Sequence, residues 1–586
     1  MRPAEPGSRS SQPVVVLQAG ERSIAVIADE DEGALHMVDL ASMSTLAVTE
    51  TPEAPTGVVA LDDGRVAVSY RWANRVAIWE VAASVEKGLE PRCDRLVAAE
   101  PVALASAGDA LYVVAGLGRR LSRLRAADLR QGGLTVSLDQ APRGLALSED
   151  AKTAFVSYLA AGHVDAVPLD RTDGDVASVA LTMEEVPRFF FEESKAPKPL
   201  GQGFALAVTR PFAEGEETLF VPAVRVDTGV DREPVSSGYG AAVEEEPPLA
   251  PTVVTIDARR RERLSEVVGA RARSNRVACT LPRAAVARGA RLYLACAGID
   301  AVVELDARVP DPLLVEHRRF PVGGGPEGLA LTGDRLLAWS RFDRELARID
   351  LVNGDQRTMV LPVREATRID PIFARGRRIF HDTHDLRVSG DGRACASCHP
   401  DGLDDGLVWS SPDGPRQTRR LSGLLQGTAP YGWFGRHEDL RAHLGATIER
   451  LGGVGFRDAR DQEDLAALIH YIERLPTPRE GARAEDEEGA LLARGKALFD
   501  SSEQGCGMCH DGGGTDGAPH DVGSARRLVK FDTPSLRFIG ESAPYYHDGR
   551  FASLEQLLAA TDGAMGHTGS LGAEDLRALT HYLRSL

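Results

Sequence analysis

At 586 residues the chain is long enough for roughly four domains of average size, and 43% hydrophobic with 26% charged residues excludes wholesale disorder and a collagen-like or coiled-coil rod. A net charge of −18 argues against a protein that tracks nucleic-acid phosphates and suits a cationic or small-molecule partner. Seven cysteines exclude a disulfide scaffold, and no window holds the ~18 uncharged apolar residues of a membrane span.

The opening MRPAEPGSRSSQP, followed by VVVLQAG, has no basic stretch running into a long apolar one, so no export leader is visible. From about Val14 to Val360 short β-branched strands alternate with Gly, Asp and Pro. One phrase recurs: a Pro, an apolar alternation, a charged or glycine-bearing turn, and a second apolar strand. It begins at Pro55, Pro101, Pro142, Pro282 and Pro326, and the steps 55 to 101, 101 to 142 and 282 to 326 are 46, 41 and 44 residues. That period is one four-stranded propeller blade. A weaker copy near Leu200 and an opening blade from Val14 give an all-β propeller over 14–361 with seven blades, six and eight being the alternatives. Residues 226–251, with Glu244, Glu245 and Glu246 before Pro247 and Pro248, read as an insertion on one face.

After Leu361 the periodicity becomes helical, as in ARGRRIF at Ala374, DLAALIHYIERL at Asp464 and EDLRALTHYLRSL at Glu574. A Pro476-Thr477-Pro478 segment and the acidic run 485–488 separate two mainly α-helical cytochrome c-type units, 370–476 and 489–586. Each carries a C-x-x-C-H run: Cys395, Cys398 and His399, then Cys506, Cys509 and His510. The spacing lets two thiols form thioethers to one haem while the next imidazole ligates its iron. Zinc ribbons place their cysteine pairs closer together than 395 and 506, and a thioredoxin-like pair needs a βαβ setting that is missing here. Two covalently attached haem c groups are the expected cofactors.

The two units are copies: Ala429-PYGWFGRHEDL aligns without a gap on Ala543-PYYHDGRFASL. The same register sets Leu451 opposite Met565. A thioether is a soft ligand that favours ferrous iron and raises the potential, so Met565 is the candidate sixth ligand facing His510, with His567 as its rival and core filler as the bland alternative. Leucine cannot ligate iron, so the first haem lacks a distal protein ligand or takes one from His381, His384, His437 or His443. His443 shares a helical face with Leu440, Leu444 and Ile448 and points inward, either packed or ligating. His381 and His384, in the long segment before Cys395, read as mobile or solvated loop groups, His437 as an exposed loop residue, and His470 and His581 as packing or solvated groups. Trp409 and Trp433, in the first unit only, are expected to pack against a macrocycle.

With these residues on the page, the two units resemble the bacterial di-haem cytochrome c peroxidase and MauG-like family. The matching motifs are both C-x-x-C-H runs, TPSLR at Thr533, APYYHDGR at Ala543 and ALTHYLRSL near the end, covering about 215 residues. The first part resembles seven-bladed YVTN or lactonase-like propellers by repeat pattern. The family resemblance implies electrons entering at the His510/Met565 haem and passing to a low-potential haem at His399 that reacts with peroxide or another small oxidant. It also implies a bound calcium ion, a small cytochrome as redox partner, and a periplasmic or exported location. One departure concerns a family glutamate just after the leucine of the DGR-x-x-x-L segment. Here Leu440 is followed by Arg441 and Ala442, while Glu555 stands there in the second unit. Acid-base help at the first haem would fall to another group, with His443 the weak candidate.

Whether the chain is an enzyme stays open between two hypotheses. In one it is a peroxidase-like oxidoreductase; in the other both haems only relay electrons and the propeller docks a partner. A hydrolytic propeller finds little support, since His36, His163 and His317 are scattered singly. Cys279 and Cys296 flank a hairpin and form either a disulfide or two buried thiols, and Cys93 is expected to be buried.

Overall fold

The computed structural model describes residues 12–170, 176–181, 199–228, 248–264, 279–364, 369–477, 487–522 and 529–586, plus the backbone of 2–3. Seven consecutive antiparallel sheets build the N-terminal part, each made of strands adjacent in sequence. Their inner strands include Val14–Ala19, Gly57–Ala60, Pro101–Ala107, Pro142–Leu147, Ala207–Thr209, Pro282–Arg288 and Pro326–Thr332. Each neighbours the next, and Pro326–Thr332 comes round to Val14–Ala19, so the ring is a seven-bladed propeller. The fifth blade is the weak copy near Leu200. Most of the expected insertion at 226–251 lies outside the described residues, as does much of the acidic linker at 485–488.

The recurring Pro phrase has a structural cause. Pro101, Pro142, Pro282 and Pro326 each open an inner strand, where a missing N–H costs no ladder bond, and in all four the register shifts just after the proline. Inner strands are sandwiched between blades and so apolar on both faces, as Pro142–Leu147 is buried throughout. Outer strands face solvent on one side, and Gln131–Ser137 alternates accordingly.

An acidic run, Asp29 to Glu32, clasps the first blade to the last. Arg344 lies 2.6 Å from Asp29, Arg341 2.6 Å from Glu30 and 2.8 Å from Asp31, and Arg364 2.6 Å from Glu32. Arg377, on the helix Pro371–His381, reaches Asp31 at 2.7 Å. The compact unit that holds the propeller runs through His384 and so includes this helix; a second compact unit starts at Asp385 and holds both C-x-x-C-H runs. Cys279 and Cys296 form a disulfide with a Cα–Cα separation of 5.1 Å. Cys93 is half-buried rather than buried, because Leu89–Leu96 is the outer strand of its blade.

Within that second compact unit the duplication extends to backbone hydrogen bonds. His399 N–H donates to the Cys395 carbonyl and His510 N–H to that of Cys506; Leu421 N–H donates to Gly402 and Leu536 N–H to Gly513. The helices Leu440–Arg450 and Ala459–Ile472 recur as Leu554–Ala560 and Ala573–Arg584. The glycine of ARGKALF is a packing requirement, since a Cβ at Gly495 would lie 2.0 Å from the Ala578 carbonyl oxygen of the facing helix.

Removing Arg344 leaves Asp29, which has no solvent exposure, without its closest cation. Breaking a buried pair from one side costs about 3–5 kcal/mol. Arg344→Ala is therefore expected to lower the unfolding midpoint of the propeller strongly, measured by thermal or denaturant melting, whereas Arg22→Ala, in an exposed pair with Glu86, should change it little.

Candidate haem sites

Two residues after each histidine the backbone turns left-handed, at Asp401 with φ 55° in the first unit and at Gly512 with φ 55° in the second. This turns the chain back so that the Gly402 and Gly513 N–H groups donate to the histidine carbonyls. His510 Nδ1 lies 3.3 Å from the Gly514 carbonyl oxygen. A carbonyl only accepts, so Nδ1 carries the proton and Nε2 keeps the lone pair needed for iron.

His510, Cys506 and Cys509 line a cavity of about 350 Å³ that Met565 also lines. Phe499, Leu554, Leu557, Leu558, Leu579 and Leu583 give it an apolar wall. Two thiols, an imidazole with a free lone pair and a thioether around an apolar cavity are a donor set that fits haem c. Its rival His567 is exposed and does not line the cavity. Cys509, Asp516 and His520 also come together as a possible cation trio. Burial pushes the Cys509 thiol up, away from the thiolate a cation would need, and His520 Nε2 already pairs with Asp516 at 2.7 Å.

In the first unit, burial drives the Cys395 thiol up to about 12 and the His399 imidazole down to about 4. His399 Nδ1 is buried without a hydrogen-bond partner, as is Nδ1 of His443. His443 is half-buried on the inward face of its helix, and burial, with Arg450, His437, Arg419 and His399 nearby, lowers it to about 4. Gly432 makes room for it: a Cβ there would meet His443 Cε1 at 2.9 Å. The structure thus brings His443 within electrostatic reach of His399.

Two of the other histidines, His381 and His437, are placed differently from the sequence expectation. His381 is no mobile group: it is buried on the helix Pro371–His381 in the propeller unit, between Phe342 and Phe380, with Nδ1 2.8 Å from the Arg377 carbonyl oxygen. His384, in the same unit, is exposed. His437 is half-buried rather than exposed, its backbone bridging Tyr431. His470 and His581 are half-buried and do not line the cavity. Glu555 is paired at the surface with Arg584 at 2.9 Å.

Trp409 is buried, its Nε1 donating to Asp405 at 2.8 Å. Trp433 does something its place in the first unit does not suggest. It lines the second unit's cavity, with Gln417, Arg419, Arg420 and Leu424 of the first unit, so that cavity is walled by both copies. Gln417, Arg419, Arg420, Leu424 and Asp532 escape sequence reasoning.

Comparison with known proteins places the C-terminal part among cytochrome c-type proteins. The cytochrome c family model matches residues 492–586. The methylamine utilization protein MauG of Methylorubrum extorquens is 29% identical over 309 residues, covering 43% of this chain and 85% of that protein. Hydrazine synthase subunit gamma of Kuenenia stuttgartiensis is 29% identical over 256 residues, covering 33% of this chain and 72% of its own. The chain fuses a seven-bladed propeller to a MauG-like region with a cytochrome c domain. Among solved structures, Kuenenia stuttgartiensis hydrazine synthase aligns at a TM-score of 0.41 and 14% identity over 58% of this chain and 93% of that one. Virginiamycin B lyase from Staphylococcus aureus aligns at 0.33 and 10% identity, over 58% and 94%. At these scores neither likeness carries functional weight. Among the described residues no helix of this MauG-like fusion is long and apolar enough to cross a membrane.

Proposed function

We propose that the chain is a di-haem c oxidoreductase in which electrons from a protein donor enter at the second-unit site and leave through the first-unit site, to a small oxidant such as peroxide or to another protein. When bound, the two haems supply reversible one-electron chemistry. Cys506 and Cys509 would hold one by thioethers, with His510 and Met565 as the residues offering donors to its iron; Cys395, Cys398 and His399 would hold the other. The observation that carries the proposal is the shared wall: Trp433 and Arg419, from the first copy, line the cavity of the second. A soft thioether at Met565 stabilises the reduced state and suits the site that receives electrons.

A second reading, a relay without catalysis, is favoured by one feature. The His443 imidazole, uncharged near neutral pH and with Nδ1 unpartnered, lies near His399, where it would close the coordination a small oxidant needs. Export to the periplasm is supported by the haem c motifs and by the Cys279–Cys296 disulfide, which needs an oxidising compartment. The acidic surface suits a basic small cytochrome as donor.

Intact mass and pyridine haemochrome spectra are expected to give two covalent haems per chain, and one after joint substitution Cys506→Ser and Cys509→Ser. Met565→Ala should convert one low-spin haem to high-spin in electron paramagnetic resonance and lower its midpoint potential. If His443→Ala then turns the other haem high-spin, the relay reading holds; if that haem is already high-spin and binds cyanide in the parent protein, the oxidant-reacting reading holds. Two low-spin haems unaffected by either substitution would reject the ligand assignment.

A further inference from the structure

Asp532 is a charged residue in a place built for apolar ones. It lies on the two-residue strand Phe531–Asp532 in the wall of the second-unit cavity and is only 3% exposed. Its own N–H donates to the Trp433 carbonyl at 3.0 Å, so its backbone is fixed to the first copy. Its Oδ1 is buried without a hydrogen-bond partner. The backbone at Gly435 closes over it: a Cβ there would lie 3.1 Å from Oδ1. The paired cation, Arg419, stays 4.0 Å from Oδ2, beyond hydrogen-bonding distance, and is drawn over the Trp433 ring at 5.3 Å.

A carboxylate held this way is under-compensated, and burial, with Asp516 adding repulsion against the pull of Arg419, raises it to about 6. The other charged or titratable groups around it are Lys530 next but one in sequence, Arg416 and His547 against the Phe531 ring, Arg436 over Phe434, and His520 on the paired strand. His520 reaches the surface. Its side chain is 43% exposed, it pairs with Asp516, and its strand sets Pro519 opposite Asp532. In the first copy the same position, opposite Val408, is Gln417, which cannot titrate.

We propose that Asp532 is the proton acceptor for electron uptake at the second-unit site. For each electron delivered by the donor protein, the Asp532 carboxylate takes one proton from solvent and becomes a neutral acid. When the electron moves on, the proton returns to solvent and the carboxylate again faces Arg419. A buried cavity thereby takes up an electron with almost no change in net charge, which lowers the electrostatic cost of reduction in a medium of low polarity. The inference rests on the haem proposed at Cys506, Cys509 and His510.

The test is spectroelectrochemistry of the full haem-loaded chain between pH 5 and 8, with redox-difference infrared spectra. In the parent protein the midpoint of the second-unit haem should fall as pH rises, because reduction takes up a proton. A carboxylic-acid C=O band should appear on reduction. Asp532→Asn should flatten the pH dependence and abolish that band. Arg419→Gln, by removing the opposing cation, should move the pH-dependent window upward. The proposal is overturned if the parent protein shows neither slope nor band, or if Asp532→Asn keeps both. Should Asp532→Asn fail to load haem, the parent slope and the Arg419→Gln shift decide alone. Failure of the haem assignment itself appears earlier, as a missing haem adduct at Cys506 and Cys509 in the mass spectrum.

Discussion

The cavity faced by His510 and Met565 has walls from two copies of one fold, and this shared wall constrains everything in the MauG-like region. Gln417, Arg419 and Trp433 come from the first copy, Phe531 and Asp532 from the second, and backbone bonds such as Asp532 N–H to Trp433 O fix them together. Neither copy closes the site alone. A change in charge on one side is therefore felt by groups of the other, and Arg419 lies among the residues that influence both Asp532 and His443.

Within that shared frame the copies have diverged at a few positions of clear chemical meaning. Leu451 stands where Met565 lines its cavity, Gln417 where Asp532 carries a carboxyl, and His443 where Leu557 gives the second cavity an apolar wall. The backbone around the two histidines is meanwhile nearly superposable in its hydrogen bonds. Duplication preserved the cradle, and substitution assigned the jobs.

Much of this was legible in the chain itself. The blade period came from Pro and apolar alternation because a bulged, proline-opened strand leaves a regular trace, and the thiol and histidine spacing is dictated by covalent geometry. The Met565 cavity position followed from register alone. What stayed hidden was set by contacts between segments far apart in sequence. His381 reads as a loop histidine until the helix Pro371–His381 is seen bound to the propeller through Arg377 and Asp31. Trp433 reads as a residue of its own copy, and nothing in GWFG reveals that it lines the other. Asp532 looks like one more surface acid, since an unpartnered oxygen is a property of the packed site and not of the residue.

The clasp between the first and last blades has a consequence for biosynthesis. Asp31 and Arg341 are separated by 310 residues, and Asp31 and Arg377 by 346. As the chain leaves the ribosome, the run Asp29 to Glu32 must stay hydrated until nearly the whole propeller has been made. The first blade can assemble early from its own consecutive strands, but the seam is sealed last, by arginines encoded just before the first C-x-x-C-H run.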